Sequence, residues 1–131
     1  MGLIFKDLVF VGRKGRRTLR TLFDTGSVHC FMRQDLAEAL DYPDELSEPK
    51  HYESVVGSFT ARPFVVADIE LRKKRLTQLF KVVPHLTEDA ILGVDFMQVW
   101  QIKLDPHTHR IHFSPKACRL IAVGSRPKRR R

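Results

Sequence analysis

Apolar and polar residues alternate with a period of two along most of the chain, so the pattern predicts strands. Residues 3–11 read as a first strand and 12–15, bounded by Gly12 and Gly15, as a turn. Residues 16–23, where Leu19 precedes Arg20 and Thr21 precedes Leu22, read as the half-buried return strand of a hairpin. The polar run Asp24-Thr25-Gly26-Ser27 interrupts this pattern before a short strand over 28–32. Over 33–40 the period changes: Leu36 and Leu40 are four apart with Ala37 beside them, one apolar stripe of a helix. Residues 41–50, acidic and containing Pro43 and Pro49, read as an exposed connection.

Beyond it, 51–59 and 60–71 form an expected strand pair turning near Gly57-Ser58. A charged turn follows at Arg72-Lys73-Lys74-Arg75, and then a strand over 76–84. Ala90-Ile91-Leu92 reads as a brief buried strand ending at Gly93, and 94–100 as a short helix with Phe96 and Trp100 in the core. Residues 101–105 and 110–113 close the pattern as a hairpin over 106–109. The order suggests two related halves. Each has a hairpin, then an apolar strand running into a glycine loop, then a helix.

Composition sets bounds on this reading. At 131 residues, 43% hydrophobic and 29% charged, the chain suits one globular domain with a modest core, not a disordered one. No apolar run approaches the roughly 20 residues of a membrane span, and no secretory signal is visible. Membrane association is therefore not expected. With two cysteines, Cys30 and Cys118, a disulfide framework is not expected, although a single bridge between them stays open; a reducing, cytoplasmic setting is. The last six residues hold five of the positive charges behind the net +8, leaving +3 for the rest. The division expected is a domain over 1–115 and a basic tail over 116–131. A solvated tail is favoured over a nucleic-acid attachment, because no aromatic residues are interleaved for base stacking.

The chemistry sits at Asp24-Thr25-Gly26-Ser27, preceded by the apolar Thr21-Leu22-Phe23. Ile91-Leu92-Gly93-Val94-Asp95 supplies a second mark, two apolar residues and a glycine leading into a helix. Together these resemble the retropepsin-like aspartic proteases, in the cellular and retrotransposon-like branch, over about residues 3 to 114. The resemblance implies a mainly β fold, a retropepsin-like closed barrel with one or two short helices and one active-site loop per chain. It also implies an endopeptidase in which two Asp24 carboxyls, one from each copy of a homodimer, activate water against a polypeptide substrate. Two close carboxyls cannot both ionise cheaply, so they share a proton, a behaviour for which aspartic proteases are the standard illustration. No metal and no organic cofactor is implied. A catalytically weak dimerisation or peptide-binding module is the alternative reading of the same fold.

Within that resemblance Asp24 is the catalytic residue and Thr25, Gly26 and Ser27 complete its loop. Gly26 permits the tight turn, Thr25 reaches across to the partner's loop, and Ser27 donates to the outer oxygen of Asp24. Val56, Gly57, Ser58 and Phe59 are the expected substrate-binding flap, a hairpin that closes over an extended peptide. Asp95 lacks the Thr-Gly context and is expected to cap or steer the following helix. Cys30 reads as a buried small hydrophobe. His107 and His109 are expected on one strand face and His112 on the other, which gives no zinc set.

Overall fold

The computed structural model describes residues 3–54 and 56–113. The basic tail and Cys118 lie outside them. The element order is β1 (Ile4–Gly12), β2 (Gly15–Phe23), β3 (Phe31–Arg33), α1 (Gln34–Leu40), β4 (Asp44–Ser54), β5 (Gly57–Leu71), β6 (Lys74–Val83), β7 (Ala90–Leu92), α2 (Val94–Val99), β8 (Ile102–Asp105) and β9 (Arg110–Phe113).

The two long hairpins are local products of the alternating pattern. β1 and β2 pair antiparallel from Ile4↔Phe23 to Gly12↔Gly15, and β5 and β6 pair from Phe64↔Lys81 to Leu71↔Lys74. Each closes over two residues. The second turn places Arg72 and Lys73 at φ 52° and 66°, the left-handed conformation that a short hairpin linker needs. Gly12 serves a different end: a Cβ there would stand 2.2 Å from the Leu40 carbonyl oxygen. The absent side chain lets α1 seat its last turn on the hairpin, where the Lys14 amide donates to that carbonyl at 2.9 Å.

The non-local pairings join the halves. β7 lies parallel to β2 and antiparallel to β3, while β3 lies parallel to β6. Each half thus inserts its short central strand between the strands of the other. The ring β1-β2-β7-β3-β6-β5 closes where Val9, Phe10 and Val11 of β1 meet Glu70, Ile69 and Asp68 of β5. The result is a mainly β, closed six-stranded barrel with two short helices. Its interior holds Leu8, Phe10, Leu19, Phe23, Ile69, Leu76, Phe80 and Leu92.

Three expectations are corrected. Residues 44–50 are strand, not connection. β4 begins at Asp44 and is paired with β5 on one side only, with a register shift between Glu45 and Lys50. A strand with one open side tolerates charges, and Pro49 falls within the shifted segment between Glu45 and Lys50, so the composition that suggested a loop suits an edge. The short strand expected over 28–32 begins only at Phe31, because the preceding loop is held by other bonds. His107 and His109 stand in the turn between β8 and β9, not on strand faces. Among the described residues, no helix is long and apolar enough to cross a membrane.

Candidate active site

The loop after β2 is built by the other half of the chain. The Asp24 amide donates to the carbonyl of Leu92 at 2.9 Å, extending the parallel pairing of β2 with β7 by one residue. Downstream, the amides of Val94 and Asp95 donate to the carbonyls of Ser27 and Val28 at 2.7 and 2.9 Å. Gly93 stands between these contacts. A Cβ on it would come within 2.3 Å of the His29 carbonyl oxygen and 2.6 Å of that of Ser27. The apolar-apolar-glycine mark is thus the seat on which the acidic loop rests.

Within the loop, Asp24 is 2% exposed. Its Oδ1 accepts from the Gly26 amide at 2.8 Å, and its own carbonyl accepts from the Ser27 amide at 3.1 Å. Its Oδ2 is buried and has no hydrogen-bond partner. Among the described residues the only other such side-chain atoms are Glu88 Oε1 and Trp100 Nε1. Thr25 and Gly26 are exposed, and Ser27 is fully buried. The Ser27 hydroxyl donates to the His29 carbonyl at 2.8 Å, so the expected bond from Ser27 to Asp24 is not made. The hydroxyl is used to hold the loop's descent into β3.

Asp95 serves its helix from inside the first turn, where its Oδ1 accepts from the Phe96 amide at 2.6 Å. Gly93 occupies the N-cap position without a side-chain bond, and Asp95 lies inside α2. Its Oδ1 accepts from the Cys30 thiol at 3.0 Å, and Gln78 donates to its Oδ2 at 3.4 Å. Cys30 is buried as expected, but it is a linker as well: its sulfur also accepts from the Gly93 amide at 3.3 Å. Burial, reinforced by the charge of Asp95, pushes the Cys30 thiol well above its ordinary pKa.

Two spaces adjoin the loop. On one side a cavity of about 990 Å³ borders Asp24, Thr25 and Gly26 and runs between the N-terminal strand, α2 and the β8–β9 hairpin, with Ile4, Met97 and Phe113 in its wall. On the other, Leu22, Phe31, Val83, Leu86 and Ile91 make an apolar floor beside the strands that carry the loop. Tyr52 and Phe59, cross-strand partners in β4 and β5, cover this floor. Phe31 meets the Tyr52 ring at 5.6 Å and the Phe59 ring at 5.1 Å between centroids.

The β4–β5 hairpin, the element expected as the flap, has its tip earlier than expected. Val56 is in the turn, whereas Gly57, Ser58 and Phe59 already belong to β5, opposite Ser54, Glu53 and Tyr52. Gly57, at φ 144°, starts the returning strand, in a conformation open to glycine. Sequence reasoning did not single out Tyr52, Phe31, His29 or Lys81 at this site. The signal available was the period-two register that puts Tyr52 opposite Phe59.

Residues 11–96 match the family model described as aspartyl protease. No curated protein matches the chain. Among solved structures, the retroviral protease-like domain of Ddi1 from Leishmania major aligns with a TM-score of 0.63 at 12% identity, over 88% of this chain and 90% of that one. EIAV protease, solved in complex with an inhibitor, aligns with a TM-score of 0.60 at 17% identity, over 79% and 93%. At these identities the two likenesses concern the fold.

Proposed function

The chain belongs to the aspartyl protease family, and from that premise we propose that it is an endopeptidase acting as a homodimer, with Asp24 of each copy forming the catalytic pair. The observation that carries this reading is the buried, partnerless Oδ2 of Asp24 in a loop that occurs once in these 131 residues. A buried polar atom left unsatisfied costs on the order of 1–3 kcal/mol, more if charged. A second Asp24 across a two-fold axis removes that cost by sharing a proton with it.

In the reaction, one Asp24 carboxylate takes a proton from water as the water oxygen attacks the scissile carbonyl carbon. The partner's protonated carboxyl donates to the carbonyl oxygen. The C–N bond then breaks, and a proton passes to the departing amine. The Gly26 amide holds Oδ1, which fixes the carboxyl plane, and in the proposed dimer the exposed Thr25 meets the partner's loop. The polypeptide substrate lies extended between the loop and the β4–β5 hairpin, its apolar side chains replacing Tyr52 and Phe59 over the Phe31–Ile91 floor.

The test is Asp24→Asn, assayed on unfolded protein and peptide mixtures from acid to neutral pH, with mass in solution measured alongside. The expected result is a dimer of wild-type mass that cleaves nothing. Undiminished cleavage by the variant, or a wild-type protein that cleaves nothing at any pH, overturns the proposal.

A further inference from the structure

The covered floor has a charged rim on one side. The His29 ring packs edge-on against Tyr52 with centroids 4.9 Å apart, and Lys81 Nζ stands 5.4 Å from the centre of the same ring. Phe31 and Lys81 are partners across the β3–β6 pairing, so they share a face with Ile91, the next residue in the row. Lys81 is thus carried on the cleft side of the sheet, half-exposed, next to the floor and not in the barrel core.

No carboxylate among the described residues forms an ion pair with Lys81. The nearby acids are committed elsewhere or turned away. Asp95 lies towards the opposite face of β6, bonded by Cys30 and by Gln78, whose position alternates with that of Lys81. Glu53 pairs with His51 at 3.4 Å and is 79% exposed, on the side of β4 opposite Tyr52. His29 shares the field of Lys81: burial first, and then that ammonium, lower the imidazole pKa, with Asp95 opposing. An ammonium and an imidazole on the same aromatic ring, the ammonium without an ion-pair partner among the described residues, can together receive a carboxylate once that ring moves.

We propose that His29 and Lys81 select substrates with an acidic side chain close to the scissile bond, next to an apolar residue that occupies the Phe31–Ile91 floor. This rests on the cleft assigned under the proposed function. The Lys81 ammonium and an imidazole N–H of His29 donate to the substrate carboxylate. Tyr52, which now separates the two, moves aside as the substrate's apolar neighbour takes its place. One charge-assisted contact in a half-buried site is worth about tenfold in discrimination against the neutral isostere.

The test uses matched peptide pairs with Glu or Gln at each position flanking the cleaved bond. Cleavage is compared for wild type, Lys81→Met and His29→Gln, and binding of the same peptides is measured with Asp24→Asn. The expected result is a Glu peptide favoured about tenfold at one position, falling to near parity in Lys81→Met and partway in His29→Gln. Equal use of Glu and Gln by wild type, or a preference that survives Lys81→Met, overturns the inference. Selective binding by Asp24→Asn combined with no cleavage by wild type would sink the proposed function and leave this inference standing. Absence of both cleavage and binding removes both.

Discussion

The Asp24 amide and the Leu92 carbonyl are joined by a 2.9 Å hydrogen bond, so the acidic loop of one half hangs from the central strand of the other. The next residue, Gly93, is where this dependence is sharpest. Gly93→Ala would push a methyl group into the backbone oxygens of Ser27 and His29, neither of which can move without unseating the loop. Overpacking against backbone of this kind costs about 1–3 kcal/mol or somewhat more. The expected outcome is a lower denaturant midpoint together with cleavage lost more severely than stability. A variant of wild-type stability and activity would show that the loop does not need this seat.

Asp41 anchors the first hairpin to the end of α1. Burial alone would raise its pKa, but bonds from the Arg13 side chain and from the amides of Arg13 and Tyr42, at 2.6 to 3.0 Å, outweigh that and hold it below the ordinary carboxylate value. A carboxyl with a depressed folded-state pKa contributes stability above its unfolded pKa of about 3.9 and loses it as pH falls through the folded value. Urea midpoints measured from neutral pH down to about pH 3 should therefore fall more steeply for wild type than for Asp41→Asn. The variant should be the less stable of the two at neutral pH. Parallel curves would contradict this account of the anchor.

The Cys30 thiol is buried, and both its surroundings and Asp95 oppose the thiolate. Since the thiolate is the reacting form, Cys30 in a Cys118→Ser background should resist alkylation at neutral pH while the protein is folded. It should label at the unfolding rate in denaturant. Rapid labelling of the native protein would place the thiol outside the linkage with Gly93 and Asp95.

The turn joining β5 and β6 is made of residues poorly suited to it. Arg72 and Lys73 both have positive φ, a conformation that costs a side-chain-bearing residue about 1–2 kcal/mol relative to glycine. Arg72 also donates to the Ile111 carbonyl at 2.6 Å, which leaves Lys73 as the position to change. Lys73→Gly should raise stability by roughly 0.5–1 kcal/mol, after the added freedom of the unfolded chain is subtracted. An unchanged or lowered midpoint would show that the Lys73 side chain makes a contribution of its own.

Much of this architecture is legible in the sequence. The period-two runs gave the two long hairpins, the i, i+4 leucines gave α1, and the Asp-Thr-Gly-Ser and Ile-Leu-Gly marks located the two loops that meet at the site. What could not be read was pairing at a distance. Nothing local indicates that β7 slots between β2 and β3, or that Gly93 is kept bare by the Ser27 and His29 carbonyls. The acidic, proline-bearing start of β4 looked like a loop because only its one-sided pairing to β5 makes it a strand. The resemblance assigns the Ser27 hydroxyl to Asp24, yet that hydroxyl donates to the His29 carbonyl. The cleft residues Tyr52, Phe59 and Lys81 come together only when the β4–β5 hairpin folds over β3.

The central claim is that cleavage requires an Asp24 from each of two copies, and mixing the chains measures this most directly. Wild-type and Asp24→Asn chains are unfolded together in equal amounts and refolded, and activity is compared with that of the same total of wild type. If both acids are needed and the copies pair at random, about one quarter of the activity survives, because only that share of dimers carries two aspartates. Survival of half the activity would mean that each chain works alone, and the account of a shared site would be wrong.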